Sequence, residues 1–221
     1  MVSGNIVIEN KSTESSVLLG QFIAGVRRII RAEGNGKRVA RAVAELLEPY
    51  LKVDYLLTED QMQPDAEKYR QNLLHVESDG SFSVAALVWK PGQETPIHNH
   101  VSWCVVGVYK GDEYETRYEL CHQDGQVCLI ETGNELNREG TVNLPVLPGD
   151  IHKVANAGSD LAVSIHIYGA DRAALGCSNR RCYNERGRLQ YWADATVAWL
   201  ARYWADATVA RLARWLRDSS R

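Results

Sequence analysis

His98 and His100, in the stretch PGQETPIHNHVSWCVVGVYKG (residues 91–111), stand one residue apart in a segment that alternates like a β-strand. Both imidazoles must then point to the same side of it. Two imidazoles side by side on one strand face are either a binding site or a coincidence. Cys104 follows four residues after His100, and another histidine, His152, comes after a Pro148–Gly149 turn in PGDIHKVAN. A second polar row lies in LAVSIHIYG (161–169). There Ser164, His166 and Tyr168 share one face, with Val163, Ile165 and Ile167 on the other. If the aliphatic face packs under helices, the polar face lines an interior, and buried polar groups need partners. A Ser164–His166–Tyr168 hydrogen-bonded relay would satisfy each in turn. The other reading of this strand is a solvent-facing edge.

The rest of the chain must supply the elements that hold these residues. The first third reads helical. Leu18, Leu19, Phe22, Ile23, Val26, Ile29 and Ile30 recur at helical spacing up to Gly34. A second helix follows through Val39, Val43, Leu46 and Leu47, with Pro49 to end it. From about residue 68 short segments rich in Val, Ile, Tyr and Thr take over, most of them separated by turns such as SDGS and QDGQ. They are NLLHVE, SFSVAALVWK, SWCVVGVYKG, YETRYELC, QVCLIET, TVNLPVLPGD, HKVANA and LAVSIHIYG. That many strands in such a length suggest a jelly-roll barrel or sandwich. The chain therefore divides into a helical cap (1–67), a barrel (68–175), and a C-terminal loop with a helical tail (176–221). In the tail YWADATVAWLAR is followed by YWADATVARLAR. A twelve-residue repeat is not a whole number of turns at 3.6 residues per turn, so Trp192 and Trp204 would not share a face. The tail is read as structural or as a surface for homo-oligomerisation.

Bulk properties narrow the function. A net charge of −3 gives no electrostatic footprint for nucleic acid or an anionic membrane. No apolar run approaches the ~20 residues that span a bilayer. The N-terminal stretch lacks the basic-then-apolar pattern of a signal peptide. Five cysteines without such a signal point to a cytoplasmic protein with reduced thiols. Cys121, Cys128, Cys177 and Cys182 lack zinc-site spacing, and His75 and His122 read as lone surface or turn residues. No glycine-rich phosphate loop opens a helix.

Gly92, His98, His100 and Gly111 resemble the first of the two cupin motifs in spacing throughout, and the Pro/Gly turn with His152 and Asn156 resembles the second more loosely. Cys104 stands where most cupins carry a metal-binding glutamate. The resemblance implies a barrel in which His98, His100 and His152 hold a metal ion. Without the glutamate the protein ligand set is neutral, so Fe(II) would keep its full charge for a thiolate and a carboxylate. Adding S-x-H-x-Y, the chain from about residue 68 to about 170 is similar to the cysteine dioxygenase family of cupin thiol dioxygenases. That resemblance implies a mononuclear Fe(II) cofactor, O2 and a small thiol as partners, and a sulfinate product. Tyr168 would stand beside the substrate, held by His166, which is in turn held by Ser164.

Within that family cysteine-specific enzymes carry an arginine in a YxRNL segment. Here the segment reads YRQNL, so Gln71 takes the arginine's place and Arg70 falls one position earlier, on the opposite strand face. Glutamine cannot form the bidentate charged pair with a carboxylate that arginine does. This form resembles 3-mercaptopropionate dioxygenases, whose carboxylate partner is an arginine after the tyrosine strand. Arg172, Arg180 and Arg181 are available, and the double arginine is the closer match, with the choice between its members open. Cys104 points the other way, because animal-type cysteine dioxygenases join a cysteine at this place to the strand tyrosine, here Tyr168, as a thioether. Trp103 is a candidate for the pocket wall and Trp89 for barrel packing. The expected activity is dioxygenation of 3-mercaptopropionate, with L-cysteine as runner-up and a non-catalytic metal- or ligand-binding cupin module as the rival class.

Overall fold

The computed structural model describes residues 3–34, 36–100, 102–123, 126–143, 150–171, 179–183 and 189–192. Helix α1 runs over Ser3–Ala32 and α2 over Gly36–Leu47, followed by 3-10 turns at Tyr50–Lys52 and Asp60–Met62. α1 begins well ahead of the apolar repeat that marks it in the sequence, because extending a helix costs far less than nucleating one. α2 buries Val39, Ala40, Val43 and Leu47 along one side and stops before Pro49, whose ring cannot continue it.

The strands are β1 (Arg70–Val76), β2 (Ser83–Trp89), β3 (Ile97–His100), β4 (Cys104–Lys110), β5 (Glu113–Gln123), β6 (Gln126–Asn137), β7 (Ile151–Asn156), β8 (Ala162–Tyr168), β9 (Asn179–Tyr183) and β10 (Leu189–Trp192). They form two antiparallel sheets, ordered β1-β2-β8-β4 and β10-β9-β3-β7-β5-β6. This is the double-stranded β-helix of the cupins, mainly β, with helices packed before it.

The four-stranded sheet has two buried faces. Val84, Ala86 and Val88 of β2, Val105 of β4, and Val163, Ile165 and Ile167 of β8 meet Phe22, Val26, Val43 and Leu47 of the helices. The alternate residues Ala85, Leu87, Trp89, Cys104, Val106 and Tyr168 face the barrel interior. β2 is accordingly buried at all seven positions, as a near-continuous apolar run should be when both faces are covered. At Gly107 the helical layer rests on bare backbone, since a Cβ there would lie 2.6 Å from Leu47 Cδ2. Arg27 on α1 ties the cap down through two contacts to Glu77 Oε2, at 3.0 and 2.9 Å. His75 joins the same carboxylate at 3.2 Å, so it belongs to this clamp rather than standing alone.

Several expectations change. The H-x-H stretch is two strands, not one: β3 belongs to the six-stranded sheet and β4 to the four-stranded one. TVNLPVLPGD yields only a single bridge, Val142 to Gly107, among the described residues. The C-terminal segment is not simply loop and helix. β9 pairs with β3, and the first two residues of the tail repeat, Tyr191 and Trp192, end strand β10. Residues 193–221, and with them the expected tail helix and its role in oligomerisation, lie outside the described residues. Nor are all the thiols reduced. Cys121 and Cys128 sit directly opposite each other on β5 and β6 and form a disulfide, with Cα atoms 5.0 Å apart. Among the described residues no helix is long and apolar enough to cross a membrane.

Candidate metal centre

Alternation along β3 turns His98 and His100 inward together. The β3–β7 register then places His152 directly opposite His98, which puts their side chains on the same face. The three rings are buried, with centroids 4.6 to 5.1 Å apart. One ligand nitrogen from each lies within 4.8 Å of the other two. The Nε2 atoms of His100 and His152 are 3.0 Å apart.

The surroundings fix the ring orientations. His98 Nδ1–H donates to the Pro96 carbonyl at 2.9 Å, and His152 Nδ1–H donates to Glu115 Oε1 at 2.7 Å. Each ring thereby keeps Nε2 as a lone pair, the tautomer a metal ligand needs. Burial, with repulsion from His152, lowers the His98 pKa to about 3 despite the Pro96 hydrogen bond, so the ring is neutral at ordinary pH. Burial pushes the Glu115 carboxyl up. The hydrogen bonds from His152 and Arg117 outweigh it and hold the group below the usual carboxylate range. A buried carboxylate behind one imidazole, and converging neutral nitrogens in front, fit a divalent cation of the kind that takes imidazole ligands. Glu115→Ala is expected to weaken metal binding by roughly 10–100-fold with all three histidines in place, as removal of such orienting partners does. Competition against a chromophoric chelator measures this, and unchanged affinity would show that Glu115 does not orient His152.

Facing the histidines from the other sheet, β8 presents Ser164, His166 and Tyr168. Ser164 Oγ lies 2.9 Å from His166 Nε2, and Tyr168 Oη lies 3.1 Å from His166 Nδ1. Trp89 Nε1–H donates to Ser164 Oγ at 3.2 Å, extending the chain backwards. The Tyr168 ring comes within 5.9 Å of that of His100. Cys104 sits opposite Tyr168 in the β4–β8 register, and its Sγ is 3.9 Å from His166 Nδ1.

A narrow cavity between the sheets is lined by His98, His100, His152, His166, Tyr168, Gln71, Tyr69, Trp89, Thr95, Leu87 and Val154. Gln71 Nε2–H donates to Tyr69 Oη at 3.2 Å, and Tyr69 stacks on Trp89. Arg70 is exposed, on the other strand face. Trp103 is not among the lining residues. Because β4 begins at Cys104 with its side chain inward, Trp103 joins the helix-side core and packs over Gly169, where a Cβ would lie 2.3 Å from the indole. Its place in the cavity wall is taken by Trp89. Arg180 and Arg181 lie on β9, Arg181 in register with Asn99 of β3; their side chains, and all of Arg172, lie outside the described residues. Tyr69, Glu113 and Glu115 carry no role in the sequence reading. The acidic pair was hidden in DEYETRYE, whose alternation looks like a solvent-facing strand until the register brings β7 alongside.

Fold and site together define a cupin with a three-histidine metal-binding group. The chain belongs to the cysteine dioxygenase type I family, whose model matches residues 13–174. Among solved structures it is similar to Bacillus subtilis oxalate decarboxylase, at 19% identity over 49% of this chain and a TM-score of 0.38. The match spans 28% of the decarboxylase chain. It is also similar to an uncharacterised Klebsiella pneumoniae protein with a double-stranded β-helix domain, at 16% identity over 52% of this chain and 84% of that one, with a TM-score of 0.39.

Proposed function

We propose that this protein is a mononuclear Fe(II) thiol dioxygenase that oxidises a small thiol carboxylate, 3-mercaptopropionate in preference to L-cysteine. The balanced reaction is RSH + O2 → RSO2H, in which sulfur supplies four electrons and no external reductant is needed. The observation that carries the substrate choice is Gln71. It lines the cavity beside the three histidines while Arg70 is exposed, so the cavity wall offers an amide where a cysteine-type enzyme would offer a guanidinium. Arg180 or Arg181, on the strand paired with β3, is then assigned the carboxylate.

When bound, Fe(II) supplies a Lewis-acidic centre at which thiolate and O2 are brought together. The chain's own residues do the rest. His98, His100 and His152 form a neutral cradle, leaving the cation's charge for an anionic substrate. Glu115 and the Pro96 carbonyl hold two of the rings in the ligating tautomer. Tyr168, steadied by His166 and Ser164, places a hydroxyl at the cavity wall for hydrogen bonding to the reacting atoms. Leu87, Val154 and the Tyr69–Trp89 stack keep the space small and largely dry.

L-Cysteine stays as the second reading because Cys104 lies opposite Tyr168, the pair that a thioether of the cysteine type would join. Oxygen uptake by the Fe(II)-loaded protein, with the two thiols in parallel, tests the choice. The expected result is a higher kcat/KM for 3-mercaptopropionate. Preference for cysteine would overturn the Gln71 argument, and uptake with neither would remove the thiol assignment.

A further inference from the structure

Glu113, at the start of β5, has no part in the site described so far. Its side chain is fully buried, and among the described residues neither carboxyl oxygen completes a hydrogen bond of good geometry. It faces the Ser164 hydroxyl of β8 and the Trp89 indole of β2, and the only other charge acting on it, among the described residues, is Glu115 on its own strand. Its cross-strand neighbours are neutral amides, Asn137 on β6 and Asn156 on β7. Asn156 Nδ2–H donates to the carbonyls of Trp89 and Asp160, whereas Asn137 Nδ2 is buried without a partner among the described residues. Among the described residues no cation compensates an ionised Glu113, and such a charge is costly. Burial, reinforced by Glu115, raises the pKa to about 7 although Ser164 and Trp89 pull the other way.

Ser164 Oγ is therefore hydrogen-bonded to Trp89 Nε1 and His166 Nε2, at 3.2 and 2.9 Å, and has the Glu113 carboxyl as a third neighbour beyond hydrogen-bond geometry. Trp89 can only donate. The one hydroxyl proton of Ser164 must then go either to His166 or to Glu113, and that choice propagates.

We propose that Glu113 is a positioning residue that stores a proton for the cavity and sets the direction of every hydrogen bond from Ser164 through His166 to Tyr168. With Glu113 protonated, its O–H donates to Ser164 Oγ, Ser164 O–H donates to His166 Nε2, and His166 Nδ1–H donates to Tyr168 Oη. The Tyr168 proton is then turned toward the cavity. With Glu113 ionised, Ser164 O–H donates to the carboxylate, His166 Nε2–H donates to Ser164, and Tyr168 O–H donates to His166 Nδ1. Tyr168 then offers a lone pair to the cavity. The two states differ by one proton. A proton accepted at Tyr168 Oη from the cavity shifts each hydrogen along by one bond and ends on Glu113, with no other group gaining charge. On the thiol dioxygenase reading, on which this consequence rests, that proton is the one a thiol loses as it binds. Cys104, 3.9 Å from His166 Nδ1, is a weak neighbour of the chain in either state.

The His166 tautomer reports the state directly and without turnover. Nitrogen-15 NMR of the protein loaded with diamagnetic Zn(II) should show Nδ1–H at low pH changing to Nε2–H, with a midpoint near the raised carboxyl pKa of about 7. In Glu113→Gln the amide N–H donates to Ser164 at every pH, so His166 should keep Nδ1–H throughout. In Ser164→Ala the carboxyl C=O stretch in the infrared should still titrate while His166 no longer follows it. A His166 that keeps one tautomer from about pH 5 to about pH 9 in the unaltered protein, or switches equally in Glu113→Gln, overturns the proposal. Because no thiol or oxygen enters the measurement, a failure of the dioxygenase reading is a separate result.

Discussion

With His98 replaced by alanine, the protein is expected to fold, retain almost no metal and show no thiol-dependent oxygen uptake. The fold should survive because β3 keeps its main-chain pairing to both β7 and β9. The metal should not, because two imidazoles remain and no described cysteine or carboxylate lies in the ligand cluster to replace the third. The loss should exceed the roughly 10–100-fold expected for an orienting partner such as Glu115. Metal analysis beside circular dichroism separates the two effects. Full metal content and an unchanged rate in a folded variant would sink the three-histidine assignment.

Phe22→Ala is expected to cost about 3–5 kcal/mol of stability, read from chemical denaturation. Phe22 is only 1% exposed and meets Tyr50 edge to face at 5.2 Å. It belongs to one core with the outward residues of β2, β4 and β8. The same strands carry Trp89, Cys104 and the Ser164–His166–Tyr168 row on their inner faces, so the helices support the site from behind. A cost no larger than the ~0.5 kcal/mol of an ordinary surface substitution would mean that the helical layer is not part of that core.

What could be read in advance followed the two periodicities of the chain. His98 and His100 announced a shared face through one-residue spacing, and β8 announced its inward polar row because its aliphatic residues sat on the wrong side for a solvent-facing strand. Facing that depends on a partner strand leaves no trace in the alternation of one strand. Glu113 and Glu115 alternate with Tyr114 and Thr116 in a way that any exposed strand could show. Only pairing with β7 turns the first two inward. Trp103 is one residue out of phase with His98, His100 and Cys104, so alternation alone turns it from the cavity, even though the chain leaves one sheet and enters another between His100 and Cys104. Trp89 shares the inward phase of Ala85 and Leu87 and takes the wall instead. β9 went unread because its arginines mask its strand character. The Cys121–Cys128 disulfide depends on register alone, which neither cysteine reveals.

That change of sheet has a consequence for how such a site diversifies. His100 ends a strand of one sheet and Cys104 begins a strand of the other, so three residues of covalent chain connect the metal side of the cavity to the tyrosine side. Removing one residue there would leave the histidines where they are and advance β4 by one step, and adding one would set it back by one step. After a deletion Val105 would take the inward position that Cys104 holds, after an insertion Trp103 would, and in either case the thiol would turn toward the helices. The length of this link works as a gauge: it selects which side chain stands opposite Tyr168 without any substitution at that position. Variation in the chemistry beside the tyrosine can therefore arise from an insertion or deletion in a connector, while the metal cradle, set by β3 and β7, stays fixed.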